Sequence, residues 1–293
     1  MLTPMNAKFE VDYEQLEEYV KWLLSFKIGG IAVNVDTGEG PLLSISEKLR
    51  ILEVVEEYAR GRIPIIAGLQ ARNTHDAIRV ARDFKQVGAD ALLVFPHPAF
   101  IGRPNVDVIY YYHREIERNV GIPLIIFQLQ PALGGVEFDA ETLLKLVGLK
   151  SVIAIKEASF DAKKFVDTVR ILRRAPRKIT ILTGNDNFIY ESLILGAEGG
   201  LLGFGTIAID RQVEMFEYVA RGDYERAKEI WEELLPLVDV IFARPVRNYR
   251  ARLKVALMMM GILKTAYVRP PLLDISKEEK ERLRKTLIKV GLL

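Results

Sequence analysis

Short apolar runs alternate with longer amphipathic stretches through most of the chain. The runs are KIGGIAV (27–33), IPIIAG (63–68), DALLVF (90–95), IPLIIF (122–127), VIAIK (152–156), KITILTG (178–184) and GGLLGF (199–204). Each is rich in leucine or β-branched residues, and Gly, Pro or a charge bounds it. Continuous apolar runs of this length suit parallel strands buried on both faces. The stretches between them carry helix signals. DYEQLEEYVKWLLSF (12–26) is amphipathic, and SISE (44–47) reads as a capping box with Ser44 at the N-cap and Glu47 reaching back. Asn73 precedes a stretch in which Ala77, Val80, Ala81, Phe84 and Val87 fall on one helical face.

An eighth strand is expected as a stub, Leu2 to Pro4, shorter than the others because so few residues precede the first loop. Eight βα units predict an α/β chain folded as a (β/α)8 barrel. A doubly wound sheet is the alternative, disfavoured by the regular repeat and by the lack of a Gly-x-Gly-x-x-Gly turn. After residue 221 the pattern turns all-helical, so the reading is a barrel over 1–221 and an extension of roughly three helices over 222–293.

Composition narrows the function classes. The 293 residues carry 41 basic and 39 acidic side chains, a net +2 that gives no electrostatic case for nucleic acid. No apolar run reaches membrane-spanning length and no basic-then-apolar leader opens the chain, so a soluble cytoplasmic protein without membrane partners is expected. With no cysteine, disulfides, thiolate metal sites and cysteine nucleophiles are excluded. His, Asp and Glu show no metal-ligand spacing, and no metal is expected.

One residue breaks the strand pattern. Lys156 closes an apolar run, and lysine is almost never fully buried without a partner or a purpose. Strand alternation places Val152, Ala154 and Lys156 on one face and the bulky Ile153 and Ile155 on the other, facing the helix layer. Lys156 is then the last inward residue at the C-terminal end of its strand, where barrel active sites sit. Desolvation there favours the neutral, nucleophilic amine, which can attack a carbonyl and form a Schiff base. The structural alternative is a lysine paired with an acid, Asp186 or Glu157, although Glu157 alternates to the opposite face.

At this point the sequence resembles the dihydrodipicolinate synthase / N-acetylneuraminate lyase family of class I (Schiff-base) aldolases. The resemblance rests on LTPM at the start, TGEGPLLSISEK (37–48), GAD (88–90), GIPLII (121–126), IKEAS (155–159), TGND (183–186) and RPPL (269–272), all in order. It implies a pyruvate-type 2-oxo acid bound as an imine on Lys156, with no other cofactor, an aldehyde partner, and a homotetramer or homodimer. The family's carboxylate-binding motif, Gly-Thr-Thr-Gly-Glu, is matched by VDTGE, Val35 to Glu39. There Thr37 keeps the second threonine, and with Gly38 it forms a small anion nest, unless Thr37 is only a turn residue. Glu39 reads as a loop contact. Gly184, Leu202 and His97 complete the expected substrate contacts.

The departures from the family pattern matter as much. Phe127 stands where the family's catalytic tyrosine ends its strand, and Asp36 replaces the threonine that hands protons to it. His97 and Pro98 replace a tyrosine pair in the loop 95–104, and Ala132 replaces the arginine that receives the second substrate's carboxylate. The resemblance without that relay disfavours dihydrodipicolinate synthesis and implies lyase chemistry on another 2-oxo acid, such as a 2-keto-3-deoxy sugar acid. Asp36 is a candidate proton carrier, a partner of protonated Lys156, or a side chain capping the DTG turn. His97 is a second candidate, or a loop histidine at a subunit contact. Gln128 and Gln130 can hold a hydroxyl or water, whereas His75 and His113 read as solvated helix residues. GGLLGFGT (199–206) leaves open a phosphate-site or pyridoxal-phosphate barrel enzyme, and a non-catalytic barrel used for binding is the third reading. RPVRNYRARLK (244–254) can grip an anion, but reads more readily as a solvated face with salt bridges on a C-terminal helix.

Overall fold

The structure, a computed structural model, describes residues 1–102 and 105–293. Two compact units make it up: Met1–Ala59 with Gly203–Leu293, and Arg60–Leu202. Arg103 and Pro104, at the end of the 95–104 loop, lie outside the described residues.

The first unit opens on the predicted stub, and here the structure differs. Residues 2–4 form no strand, and the segment closes instead through an isolated antiparallel bridge between Met5 and Val11. Pro4 has no N–H to give a ladder, and the Asn6 side chain accepts from the Lys8 and Glu10 amides, curling the chain into a turn. Leu2 is nonetheless fully buried, and the Met1 amine donates to the Ala32 carbonyl at 2.7 Å. Helix α1 (Tyr13–Leu23) is capped by Asp12, whose carboxylate accepts from the Gln15 amide. Strand β1 (Ile31–Val33) leads into the loop 34–44 and then helix α2 (Ile45–Ala59). The expected capping box is present: the Ser44 amide donates to Glu47 Oε2 at 2.8 Å and the Glu47 amide to Ser44 Oγ at 3.2 Å.

The second unit is a run of βα repeats. Its strands are β2 (Ile65–Leu69), β3 (Ala91–Val94), β4 (Leu124–Leu129), β5 (Val152–Ala158), β6 (Thr180–Thr183) and β7 (Gly199–Gly200). Helices α3 (Thr74–Val87), α4 (Val106–Val120), α5 (Ala140–Val147), α6 (Ala162–Leu172) and α7 (Ile189–Leu195) separate them. Each strand pairs in parallel with the next. Leu92, Leu93, Leu124 and Ile126 are fully buried, as double-faced burial requires. In α3 the predicted face holds, with Ala77, Val80, Ala81 and Phe84 buried. The run 199–204 is corrected: only Gly199 and Gly200 are extended, and Phe204–Thr206 form a 3-10 turn.

His113, read as solvated, is corrected as well. It is 1 % exposed on α4, with Nδ1 donating to the Ile109 carbonyl at 2.8 Å and its ring against Phe100 and Tyr112. Burial pushes its pKa down from 6.5 to about 4. The unfolded chain therefore binds a proton near pH 6.5 that the native state refuses. Stability is full above pH 6.5 and is lost as pH falls toward 4. That loss is expected to reach about 3 kcal/mol. Urea midpoints at pH 7 and pH 4.5 check it, and His113→Phe should remove that part of the pH dependence.

Returning to the first unit, helices α8 (Ile209–Arg221), α9 (Tyr224–Ile241), α10 (Tyr249–Met259) and α11 (Lys277–Lys289) finish the chain. The basic stretch 244–254 is corrected in part: Arg244 and Arg247 are exposed and the expected salt bridges form, but its helical half is not a solvated face. Tyr249 to Leu257 are all buried, and the cations among them are paired rather than solvated. Arg252 donates to Glu279 at 2.8 and 2.9 Å, and Lys254 lies 2.5 Å from Glu39. Buried charges persist only with such partners.

Candidate active site

Lys156 occupies β5, two residues before the strand ends at Ala158, so it is not the last residue of its face. The face itself needs a correction. The pairing of β4 with β5 slips between Leu124 and Ile125, so that Leu124 meets Val152 but Ile125 meets Ala154. Ile153 is the inserted residue and is 46 % exposed. Past that bulge the alternation runs true: Ala154, Lys156 and Ala158 share a face with Ile125, Phe127 and Leu129, while Val152 joins Ile155 and Glu157 on the other.

Phe127 therefore lies beside Lys156 in register. The Lys156 Nζ lies 4.5 Å from the centre of the Phe127 ring, a cation–π distance, and Phe95 packs edge-on against that ring. A ring face that attracts an ammonium also attracts an iminium. Lys156 is 8 % exposed. Gly184 gives its stem room: a Cβ there would lie 2.5 Å from Lys156 Cε and 2.9 Å from Ala158 Cβ.

On the opposite face of β5 sits a polar network that sequence reading missed. Glu157, fully buried, accepts from Gln128 Nε2 at 2.9 Å and Asn185 Nδ2 at 2.7 Å. Gln128 also donates to Thr168 and accepts from the Phe138 amide. Burial raises the Glu157 pKa, and the three donors Asn185, Ser159 and Gln128 oppose the rise. The network ties the ends of β4, β5 and β6 together behind the lysine. Its signals in the sequence were Gln128 and Glu157, polar residues that directly follow apolar runs. The hydroxyl-holding role considered for Gln128 is thus set aside, because its amide is spent on this network.

His97 spends both ring nitrogens on backbone. Nδ1 accepts from the Ala99 amide at 3.1 Å and Nε2 donates to the Arg72 carbonyl at 3.0 Å. It caps the Pro98–Phe100 turn, a structural duty. Ala132 is exposed in the Pro131–Leu133 turn. Leu202 is half-buried, just past the Leu201 amide that donates to the Thr183 carbonyl.

In the first unit, residues Asp36–Gly38 form a 3-10 turn after β1. Thr37 is 6 % exposed. Gly38 is demanded by close approach, since a Cβ would stand 2.8 Å from the Met1 carbonyl oxygen, and Thr3 Oγ1 donates to the Gly38 carbonyl at 2.7 Å. Asp36 does not cap the turn. Its Oδ2 accepts from the Tyr249 hydroxyl at 2.9 Å and pairs with Arg250 at 2.5 Å, while Arg250 Nε donates to its carbonyl at 2.7 Å. The Tyr249 and Thr37 oxygens are 3.3 Å apart. Tyr249 and Arg250 were missed because they lie in the stretch read as solvated. Glu39 is the loop contact expected of it: one oxygen faces Lys254 and the other accepts from the Arg269 amide at 2.7 Å.

No three His, Asp or Glu side chains gather as a metal site among the described residues. Among those residues no helix is long and apolar enough to cross a membrane.

The model of the dihydrodipicolinate synthetase family matches residues 1–290. A 4-hydroxy-tetrahydrodipicolinate synthase of Halalkalibacterium halodurans is 30% identical over 97% of this chain and 92% of its own length. A solved monomeric dihydrodipicolinate synthase variant superposes with a TM-score of 0.91 at 26% identity, covering 100% of this chain and 95% of that one. A solved dihydrodipicolinate synthase of Acinetobacter baumannii, complexed with pyruvate, superposes at 0.88 with 28% identity, covering 100% and 97%. The fold class is the expected α/β barrel type with a C-terminal helical part, with seven strands among the described residues where eight were expected.

Proposed function

Because the chain belongs to the dihydrodipicolinate synthetase family, whose members are class I aldolase-type lyases, we propose that it forms a Schiff base between Lys156 and a pyruvate-type 2-oxo acid. The observation that carries this reading is the Lys156 amine itself: almost enclosed, seated on an aromatic face, with Gly184 leaving room for its stem. The iminium is its own electron sink, so the chemistry needs no metal or organic cofactor. Thr37, in the turn with Gly38, holds the 2-oxo acid's carboxylate, and Leu202 borders the substrate. Phe127 stabilises the cation on Nζ rather than relaying protons. We take 1–221 as the barrel and 222–293 as the extension, in a cytoplasmic homodimer or homotetramer. One similar synthase is a monomeric variant, so light scattering on the purified chain decides the assembly.

The second substrate divides two readings. The relative's name favours dihydrodipicolinate synthesis, in which pyruvate condenses with aspartate semialdehyde. The residues of this chain favour an aldehyde or sugar-acid partner without the second carboxylate. Phe127 and Pro98 supply no hydroxyl for the relay, and Ala132 supplies no group to grip that carboxylate. A lost charge-assisted hydrogen bond costs about 1.5–3 kcal/mol, or about 10–10²-fold, and the missing relay adds to it. Pyruvate release from a panel of 2-keto-3-deoxy sugar acids, coupled to lactate dehydrogenase, should exceed pyruvate consumption with aspartate semialdehyde by about 10²-fold or more in kcat/KM. A preference for aspartate semialdehyde would restore the synthase reading.

A further inference from the structure

The proposed chemistry draws on Gly184 of the TGND stretch (183–186) but gives its neighbour Asn185 no duty. Asn185 is fully buried, two residues past the end of β6. Its Nδ2 donates to the Glu157 carbonyl at 3.0 Å and to Glu157 Oε2 at 2.7 Å, and its Oδ1 accepts from the Phe160 amide at 2.7 Å. The Gly184 amide donates to the same Glu157 carbonyl at 2.6 Å. The Asn185 amide donates to Thr183 Oγ1 at 3.2 Å, folding the segment back on β6. These bonds bracket Lys156. Glu157 directly follows the lysine in β5, and Gly184, against which the lysine stem lies, directly precedes the asparagine. Phe160 closes the bracket. Its φ of 58° is a conformation that a bulky residue keeps only where its surroundings hold it, and the bond to Asn185 is such a hold. One side-chain amide thus ties the backbone that carries the lysine to the backbone its stem leans on, and all of these residues belong to one compact unit.

We infer that Asn185 is a positioning residue for Lys156: by pinning the Gly184 segment to Glu157, it holds the amine over the Phe127 ring. The inference rests on the Schiff-base reading above. Asn185 acts through Glu157 and the Gly184 backbone, not on the substrate. An amide is what the position requires, because donors must face Glu157 and an acceptor must face Phe160. An aspartate has the same shape. It would set a second carboxylate across the 2.7 Å now spanned by a hydrogen bond, at a fully buried place where like charges repel strongly. Without the amide, Gly184 keeps its open Cβ position but loses the tie that sets its distance from the lysine stem. The amine then spreads over several orientations, and misplacement of a nucleophile by about 1 Å costs about 10²-fold in rate.

The rate of borohydride trapping on the full chain, followed against pyruvate concentration, tests this without knowledge of the aldehyde. Asn185→Ala should slow trapping at saturating pyruvate by about 10²-fold and leave the half-saturating concentration within about 3-fold of wild type. Asn185→Asp should be at least as slow. The double variant Asn185→Asp with Glu157→Gln exchanges donor and acceptor across the same bond, and should trap about 10-fold faster than Asn185→Asp alone. A merely structural asparagine would lower the thermal midpoint and leave the saturated trapping rate of the folded chain at the wild-type value, and that result overturns the inference. So does a folded Asn185→Ala whose half-saturating pyruvate rises at an unchanged saturated rate, because the residue then holds substrate. Should Asn185→Ala fail to fold, Asn185→Asp with and without Glu157→Gln decides: recovery in the double variant supports the inference, and no recovery overturns it. A wild-type chain that traps no pyruvate overturns the proposed function itself.

Discussion

Lys156→Ala is expected to lose turnover of its 2-oxo acid substrate by on the order of 10⁴–10⁶-fold, the scale on which removing a covalent nucleophile acts. No neighbour on its face can replace it: Ala154 and Ala158 are inert, and the paired residue is Phe127. The unit should stay folded. The network that ties β4, β5 and β6 runs through Glu157 on the opposite face and does not use the amine. Circular dichroism and a thermal melt check this alongside the rate. A variant that keeps even a hundredth of the wild-type turnover would show that Lys156 is not the nucleophile.

Gly184→Ala is the second large effect. The new Cβ would overlap the lysine stem, 2.5 Å from Cε, and also the Ala158 Cβ at 2.9 Å. The stem can swing, but Ala158 is fixed in β5. The amine is therefore displaced from the Phe127 face, and misplacement by about 1 Å costs about 10²-fold. Overpacking should also lower stability by about 1–3 kcal/mol. The rate of borohydride trapping with pyruvate, measured beside a urea titration, separates the two contributions. Trapping at the wild-type rate in a folded Gly184→Ala would mean that the lysine reacts from another rotamer.

What the sequence disclosed, and what it hid, divides by distance along the chain. Strand runs, the Ser44–Glu47 capping box and the face of α3 were legible because each depends on neighbours within a few residues. The position of Lys156 was legible for the same reason, since a cation ending an apolar run is a local anomaly. Ile153 was not: as one more apolar residue in an apolar strand it carries no mark of a bulge, which only the pairing with β4 reveals. The cations of α10 misled because Arg and Lys spell a solvated face until their partners are known. Arg250 meets Asp36 across 214 positions, and Arg252 meets Glu279 across 27. Tyr249 was hidden with them, as its significance lies in Asp36 and Thr37, more than two hundred residues earlier. His113 sits at the helix position that faces Phe100, which the sequence reading assigned to solvent. The stub at the start read as a strand because burial of Leu2 and β structure leave the same apolar trace.

The central claim is an imine on one lysine, and the direct measurement is borohydride reduction of the wild-type chain in the presence of pyruvate, followed by peptide mass mapping. One reduced pyruvate should appear per chain, on the peptide that carries Lys156, and it should be absent without pyruvate or without borohydride. No adduct, or an adduct on Lys254 or any other lysine with Lys156 unmodified, would contradict the account.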